Sequence, residues 1–556
     1  MPLTVAVMQL RGRLIERATF YKECMMQKLF FLAVSLCTAT FTFAQQQPDT
    51  TIDVQHYSFS LNLNDSNNII QGDAAVTVKF LQEQNELQLD LRGRTPDDSG
   101  MLVTAVKEAG QPLAFRQDAH HLFITVAAKA GETRSVTISY NGIPTDGLVI
   151  STNRYHHRTF FGDNWPNRAH NWLPCKDHLS DKATVEFIVT APEHYQVVSN
   201  GVQTELTNLP GHRRLTHWVS DAQLPTKVMV IGMADFAVNY VGNVDNIPVY
   251  SWVYPEDRDS GFATYAMAKN ILPFYISHVG PYAYKKLANV QSKTIFGGME
   301  NASAIFYYEK SVSDPGSEAL LAHEIAHQWF GDNATEKNWQ HLWLSEGFAT
   351  YMTNLYHEEK YGRDSFNRRM ETDRKIVIAF SKKHNTPVVD TSYGNNIMQL
   401  LNANSYQKGG WVLHMLRRRL GDTVFWRCIR AYYAQYAGKN ASTANLEKVF
   451  ETVSGQNLTA FFQQWLYASG QPTLAITWRY DNVKKQVAVT VQQQQTFLFD
   501  IPLEVAVTGG NGMLAQKALS IKNRQTTVTI PCKQVPAQLI PDPNVNQLFE
   551  ATVKQE

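Results

Sequence analysis

The period of the apolar residues changes twice along the chain, and this limits the architecture more than any other feature. From about residue 52 to 245, apolar and polar side chains alternate in short runs, as in Tyr57/Phe59/Leu61/Leu63, Val76/Val78/Phe80, Leu87/Leu89/Leu91, Val136/Ile138/Tyr140 and Val185/Phe187/Val189. Alternation puts every second side chain on one face of a strand, and Gly, Asn and Pro between the runs supply turns. From about 246 to 468 the period becomes helical, as in Leu446/Val449/Phe450/Val453 and Leu458/Phe461/Phe462/Trp465. The last of these helices should stop at Gly470, with Pro472 just beyond. From 473 onward strands return, Val487/Val489/Val491 being typical. The expected fold is α+β and multidomain: an antiparallel β domain over 50–245, a mainly helical domain over 246–468 and a small β-sandwich over 470–556.

Composition narrows the function classes. In 556 residues, Lys plus Arg number 51 and Asp plus Glu 50, a net charge of +1. A nucleic-acid partner calls for a basic excess, so none is expected. After the N-terminus there is no apolar run long enough to span a bilayer, which excludes a multi-span membrane protein. The stretch 29–43 (LFFLAVSLCTATFTF), preceded by Lys28 and followed by QQQPDT, reads as a secretory signal with cleavage after Ala44. Residues 1–24 lie upstream of where such a signal begins, so translation is expected to start at Met25 or Met26. Residues 1–44 are therefore read as extension plus signal. The mature protein is expected to be periplasmic or secreted, without stable membrane insertion. Of five cysteines, Cys24 and Cys37 fall in the removed segment. Cys175, Cys428 and Cys532 form neither a disulfide framework nor a cysteine zinc site.

The chemistry lies in the helical region. Residues 321–330 read LAHEIAHQWF, with His323, Glu324 and His327 in an HExxH arrangement. Asp314-Pro315 just upstream offers an N-cap and a proline at the first helical position. On a helix Leu321, Ile325 and Trp329 share one stripe, while His323 and His327 lie one turn apart on the opposite side. Two imidazoles at i, i+4 can share one tetrahedral zinc, with Glu324 beside them to reach a metal-bound water. A catalytic zinc needs a third protein ligand and an open position. Residues 343–351 (WLSEGFATY) supply Glu346, with eighteen residues between it and His327, enough for a loop and a returning helix.

With these residues the sequence resembles the gluzincin aminopeptidases, the aminopeptidase N family, whose signature is HExxH-x18-E. Two further segments carry the resemblance. Gly297-Gly298-Met299-Glu300-Asn301 looks like the family's GxMEN exopeptidase motif, and Tyr406-Gln407-Lys408-Gly409 looks like its Y-x-K-G segment. The resemblance implies a thermolysin-like catalytic domain holding one zinc per chain on His323, His327 and Glu346. It implies Glu324 as general base, and Tyr406 as the donor that stabilises the oxyanion. Gly297, Gly298, Met299, Glu300 and Asn301 would bind substrate, with Glu300 holding the protonated α-amine. The activity implied is hydrolysis of the N-terminal peptide bond of peptides with a free N-terminus.

Departures from the family pattern are visible too. Many members carry a Gln or Glu upstream that helps hold the amine; here 161–172 reads FGDNWPNRAHNW, where Asp163 and Asn164 are the candidate substitutes. The chain ends short of the large C-terminal helical domain common in the family, which implies a more open cleft or one closed by a partner subunit, so a homo-oligomer stays open. The sequons Asn301-Ala-Ser and Asn333-Ala-Thr fall within the site motifs, where a glycan would block the cleft; a bacterial setting fits this best. Competing readings are an epoxide hydrolase, an endopeptidase, against which Glu300 argues, and a peptide-binding protein that has lost catalysis, against which the intact motif argues.

Overall fold

The computed structural model describes residues 49–394, 396–510 and 512–556. The leader expected over 1–44 lies outside the described residues. Among those described, no helix is long and apolar enough to cross a membrane.

The N-terminal alternation becomes three sheets. The largest has eight strands, built around Arg213–Pro225, Lys182–Pro192, Ile52–Asn62, Ile70–Phe80 and Thr133–Ile143. Along Ile70–Phe80 the buried and more exposed positions alternate as the sequence pattern requires, Ala74, Val76, Val78 and Phe80 facing the core. The sheet is antiparallel except at one place: Ile52–Asn62 runs parallel to Lys182–Pro192, Phe59 opposite Phe187. A period of two is blind to strand direction, so only the tertiary path fixes that pairing.

A mixed five-stranded sheet leads into the helical region. Its order is Ala237–Val244, Ile247–Val253, Leu287–Ser292, Ala304–Tyr308 and Gly298–Met299. The first two form a hairpin, so the division expected at residue 245 falls in a turn within one sheet. Leu287–Ser292 is buried at every position and pairs in parallel with both neighbours, which explains why alternation is missing from its sequence.

The longer helices of the helical region are α1 (Arg258–Tyr265), α2 (Ala268–His278), α3 (Ser317–His327), α4 (Trp343–Tyr361), α5 (Arg363–Ser381), α6 (Gly409–Leu420), α7 (Asp422–Tyr436) and α8 (Thr443–Ser454). The apolar face expected in α8 is present: Leu446, Val449 and Phe450 are buried. Ser442 and Asn445 close a capping box at its start, and Gly455 ends it in the left-handed region at φ 70°. α4 and α6 approach so closely that a Cβ on Gly347 would lie 2.9 Å from the Gly409 backbone. That contact sets the π-helical turn Asn404–Lys408 beside α4. The C-terminal region forms two sheets, of four and three strands, with Val487, Val489 and Val491 buried.

Two buried lysines tie the N-terminal region to the helical one. Lys182 Nζ donates to the carbonyls of Asp332 and Asn333 at 3.1 and 2.7 Å. Lys286 Nζ donates to those of Ser199 and Ser303 at 2.7 and 3.1 Å. Burial pushes both ammonium groups down to about 7.

Candidate metal centre

α3 starts two residues later than Asp314-Pro315 suggests. Its cap is Gly316, whose amide donates to Asp314 Oδ1 at 2.7 Å. Asp314 thus closes a turn ahead of the helix and does not cap it. Leu321, Ile325 and Trp329 form the buried stripe as expected. On the other side, His323 Nε2 and His327 Nε2 lie 3.1 Å apart. Glu346, in the first turn of α4, places Oε2 3.4 Å from each of them. Among the described residues this is the one group of three or more potential ligands close enough to share an ion.

The donor set fits zinc. Ligand atoms at about 2.0–2.1 Å from a tetrahedral ion stand about 3.3 Å from one another, close to the separations found. Glu346 Oε2 is buried with no hydrogen-bond donor, an orphan that a cation satisfies. His327 Nδ1 is 3.0 Å from the Phe330 carbonyl and 3.0 Å from Ser345 Oγ. An Nδ1–H donated to that carbonyl leaves Nε2 with its lone pair aimed at the cluster, the tautomer a metal ligand needs. Burial draws His327 down, but Glu346 beside it overrides this and raises it to about 10. Burial keeps His323 below its ordinary value.

Glu324 sits beside the ligands, 5% exposed. Burial lifts its carboxyl to about 8; His327 opposes this, and Glu300 and Glu346 add to it. Its position is set by a neighbour: a Cβ on Gly298 would lie 2.3–2.6 Å from Glu324 Oε1, Cδ and Cγ. Gly298–Met299 is the edge strand of the five-stranded sheet, antiparallel to Ala304–Tyr308. Gly297 has no such constraint; the nearest atom to its Cβ would be Leu320 Cδ1 at 3.9 Å. The motif is held to α3 by Gln328, whose Nε2 donates to the Glu300 carbonyl at 2.7 Å and whose Oε1 accepts from Ser303 N at 2.8 Å. Tyr406 stacks on His323, ring centroids 6.0 Å apart. Burial and the surrounding carboxylates hold its phenol well above the ordinary range.

A cavity of about 270 Å³ opens onto this cluster. It is lined by Gly297, Gly298, Met299, Glu300, Glu324, Tyr406 and the three ligands, together with Trp165, Phe296, Leu320 and Leu401. Asn301 is not among the lining residues; it is fully buried, and its side-chain amide has no hydrogen-bond partner. A larger cavity, about 370 Å³, lies by α6 and the C-terminal sheets and contains none of the ligand cluster.

Models of the Peptidase family M1 domain and the Peptidase M1 N-terminal domain match residues 263–465 and 53–228. The chain belongs to peptidase family M1. This M1 chain is similar to "Probable aminopeptidase 2" of Sulfurisphaera tokodaii, 25% identical over 479 residues, which cover 82% of the chain and 59% of that protein. It is 27% identical over 449 residues to "Tricorn protease-interacting factor F2" of Thermoplasma acidophilum, covering 74% of the chain and 54% of that protein. In fold it is similar to Legionella pneumophila aminopeptidase A, solved in complex with aspartic acid, with a TM-score of 0.79 at 16% identity over 92% of the chain and 61% of the other. The M1 chain thus spans between 54% and 61% of the length of these relatives.

Neither polar candidate of the 161–172 stretch reaches the cavity of this M1 chain. Asp163 is paired with Arg168 and accepts from Thr294 Oγ1 at 3.2 Å. Asn164 donates to the Met229 carbonyl at 2.6 Å and accepts from Trp172 Nε1 at 2.8 Å. Both are structural. The residue that lines the cavity is Trp165, packed edge-on against Phe296 and Trp339 at 5.6 and 5.4 Å between centroids. Sequence reasoning also missed Lys227 and Glu336, each about 1% exposed and paired at 2.9 Å behind Glu300. A lysine inside the apolar run at 224–231 was the available signal.

Proposed function

We propose that the protein is a zinc-dependent aminopeptidase acting on peptides with a free N-terminus. The observation that carries this is Glu300: a buried carboxylate whose Oε1 has no hydrogen-bond donor, lining the same cavity as the ligand cluster. A cationic α-amine seated there is charge-assisted and fixes which peptide bond faces the metal.

His323, His327 and Glu346 hold the ion. Zinc, when bound, supplies Lewis acidity that polarises the scissile carbonyl and acidifies the attacking water. Glu324 takes the water's proton on its carboxylate and returns it to the leaving amine. The Tyr406 hydroxyl donates to the carbonyl oxygen as charge builds there; a donor of this kind contributes about 3–4 kcal/mol. Gly298 and Met299 offer the edge strand along which an extended substrate backbone can lie. Trp165, Phe296, Met299, Leu320 and Leu401 give the remaining wall an apolar character that suits an apolar first side chain.

The test is one peptide in free and N-acetylated forms, with products read by mass. Cleavage of the first residue from the free form alone is expected. Efficient internal cleavage of the acetylated form would move the protein to the endopeptidases. The apolar stretch 29–43 supports export to a bacterial periplasm or medium, and cell fractionation tests it.

A further inference from the structure

Behind Glu300 lies a buried charge network that the hydrolytic groups do not use. Lys227 stands on the single turn Thr226–Val228, which follows the strand Arg213–Pro225 of the N-terminal region. The turn is fixed from three sides. Thr226 Oγ1 donates to Asp177 Oδ1 at 2.6 Å, while the Thr226 and Val228 carbonyls accept from Asn164 and Asn200 at 3.2 and 2.8 Å. Lys227 Nζ donates to Glu336 Oε1 at 2.9 Å and lies 3.9 Å from Glu300 Oε1. The first contact is a hydrogen-bonded ion pair; the second is too long for a hydrogen bond and acts through charge alone.

Glu336 is itself anchored. The short strand Thr335–Glu336 pairs with Asn440–Ala441, and Lys337 N donates to the Ala441 carbonyl at 2.8 Å. Burial draws Lys227 down, but Glu336 and Glu300 override this and hold it above its ordinary value, so the ammonium stays charged. Glu336 and Glu300 thus bring two carboxylates to one ammonium, and Asp332 stands near as a third carboxyl that burial holds well above the usual carboxylate range. Buried ion pairs are costly to desolvate and are often no more stabilising than apolar residues of the same size. The network therefore calls for a role at the cavity it faces.

We propose that Glu336 is a positioning residue that holds the Lys227 ammonium off Glu300, so that Glu300 Oε1 stays open to the α-amine of the substrate. This rests on the reading of Glu300 as the amine acceptor. Lys227 is an internal rival for that acceptor, on a flexible four-carbon stem. With the Glu336 charge removed, Glu300 becomes its preferred carboxylate, and the 3.9 Å gap closes to a hydrogen bond. The subsite then carries its own ammonium and excludes the substrate's. A purely structural network behaves differently: loss of Glu336 would weaken the fold, and further loss of Lys227 would not repair binding.

The experiment measures binding of L-leucinol, an amino alcohol with no scissile bond, to the zinc-loaded protein by calorimetry, with N-acetyl-leucinol as control. Wild type should favour the free amine by at least about 10-fold, Glu336→Gln should lose at least about 10-fold for leucinol, and Glu336→Gln with Lys227→Met should return to within about 3-fold of wild type. The KM for a leucine anilide should follow the same order. Glu336→Gln binding like wild type, or a double variant as weak as the single, overturns the proposal. Should the single variant fail to fold, the charge-balanced double variant still decides: weak leucinol binding there overturns the proposal. Wild type indifferent to acetylation refutes the amine-acceptor reading and this inference with it. Discrimination by wild type without an effect of Glu336→Gln refutes this inference alone.

Discussion

Gly298→Ala tests how the edge strand and the Glu324 carboxylate are fitted together. The added methyl would stand 2.3 Å from Glu324 Oε1, 2.5 Å from Cδ and 2.6 Å from Cγ. Ordinary contact begins at about 3.5 Å, so all three atoms must move by about 1 Å. Rotating the carboxylate does not suffice, because Cγ is also too close; the whole side chain or the strand has to shift. A displacement of about 1 Å at a reacting group costs about 10²-fold in rate, which sets the expected loss in kcat/KM. Overpacking should cost about 1–3 kcal/mol of stability, and bound zinc should stay at one per chain, because the three nearest atoms to the methyl all belong to the Glu324 side chain and none to a ligand. Gly297→Ala is the control: its methyl would meet nothing closer than 3.9 Å, so kcat/KM should remain within about 3-fold of wild type. Both variants are assayed on one aminoacyl anilide, with metal content by elemental analysis and Tm by calorimetry. Gly298→Ala within about 5-fold of wild type, or Gly297→Ala equally impaired, would refute the argument that Gly298 is required for space beside Glu324.

Three more predictions follow from the same geometry. Glu324→Gln keeps the shape and removes the proton acceptor, so turnover should fall by at least about 10²-fold with zinc content unchanged; wild-type turnover would exclude Glu324 as base. Purified protein should hold one zinc per chain on His323, His327 and Glu346, and chelation should abolish activity while far-ultraviolet dichroism stays largely native; active protein without stoichiometric metal contradicts this. Asp373 is raised to about 6, chiefly by burial, against the hydrogen bond from Asn354 Nδ2 at 2.8 Å and the nearby Arg369. Its folded value exceeds the unfolded one, so the folded state binds the extra proton and stability falls as pH rises from about 4 to about 6. Asp373→Asn should therefore raise stability by about 1–3 kcal/mol at pH 7 and by little at pH 4; denaturant titrations at both values decide it.

The sequence by itself determined what depends on neighbours along the chain. A period of two or 3.6 follows from backbone geometry, so the strands around Phe59, Val76 and Val185 and the helix around Leu446 and Phe450 were legible. The His323/His327 pair was legible because one helical turn brings i and i+4 together whatever packs around them, and Glu346 because eighteen intervening residues leave room for a returning helix. Glu300 and Tyr406 could be singled out only through resemblance, since nothing local distinguishes a carboxylate just after a two-residue strand or a tyrosine in a π-helical turn. What the tertiary structure decided is what depends on contacts distant in sequence. The parallel pairing of Ile52–Asn62 with Lys182–Pro192 leaves no local trace, because strand direction does not alter alternation. Asp163 and Asn164 were spent on Arg168 and Met229, and Trp165 lines the cavity instead, an outcome set by how the segment turns. Lys227 and Glu336 stand 109 residues apart in the chain and meet at 2.9 Å. Glu336 reads alone as a surface charge, and Lys227 only as a lysine within an apolar run. Only the burial of both behind Glu300 turns them into an ion pair, because the charges must be matched once water is excluded.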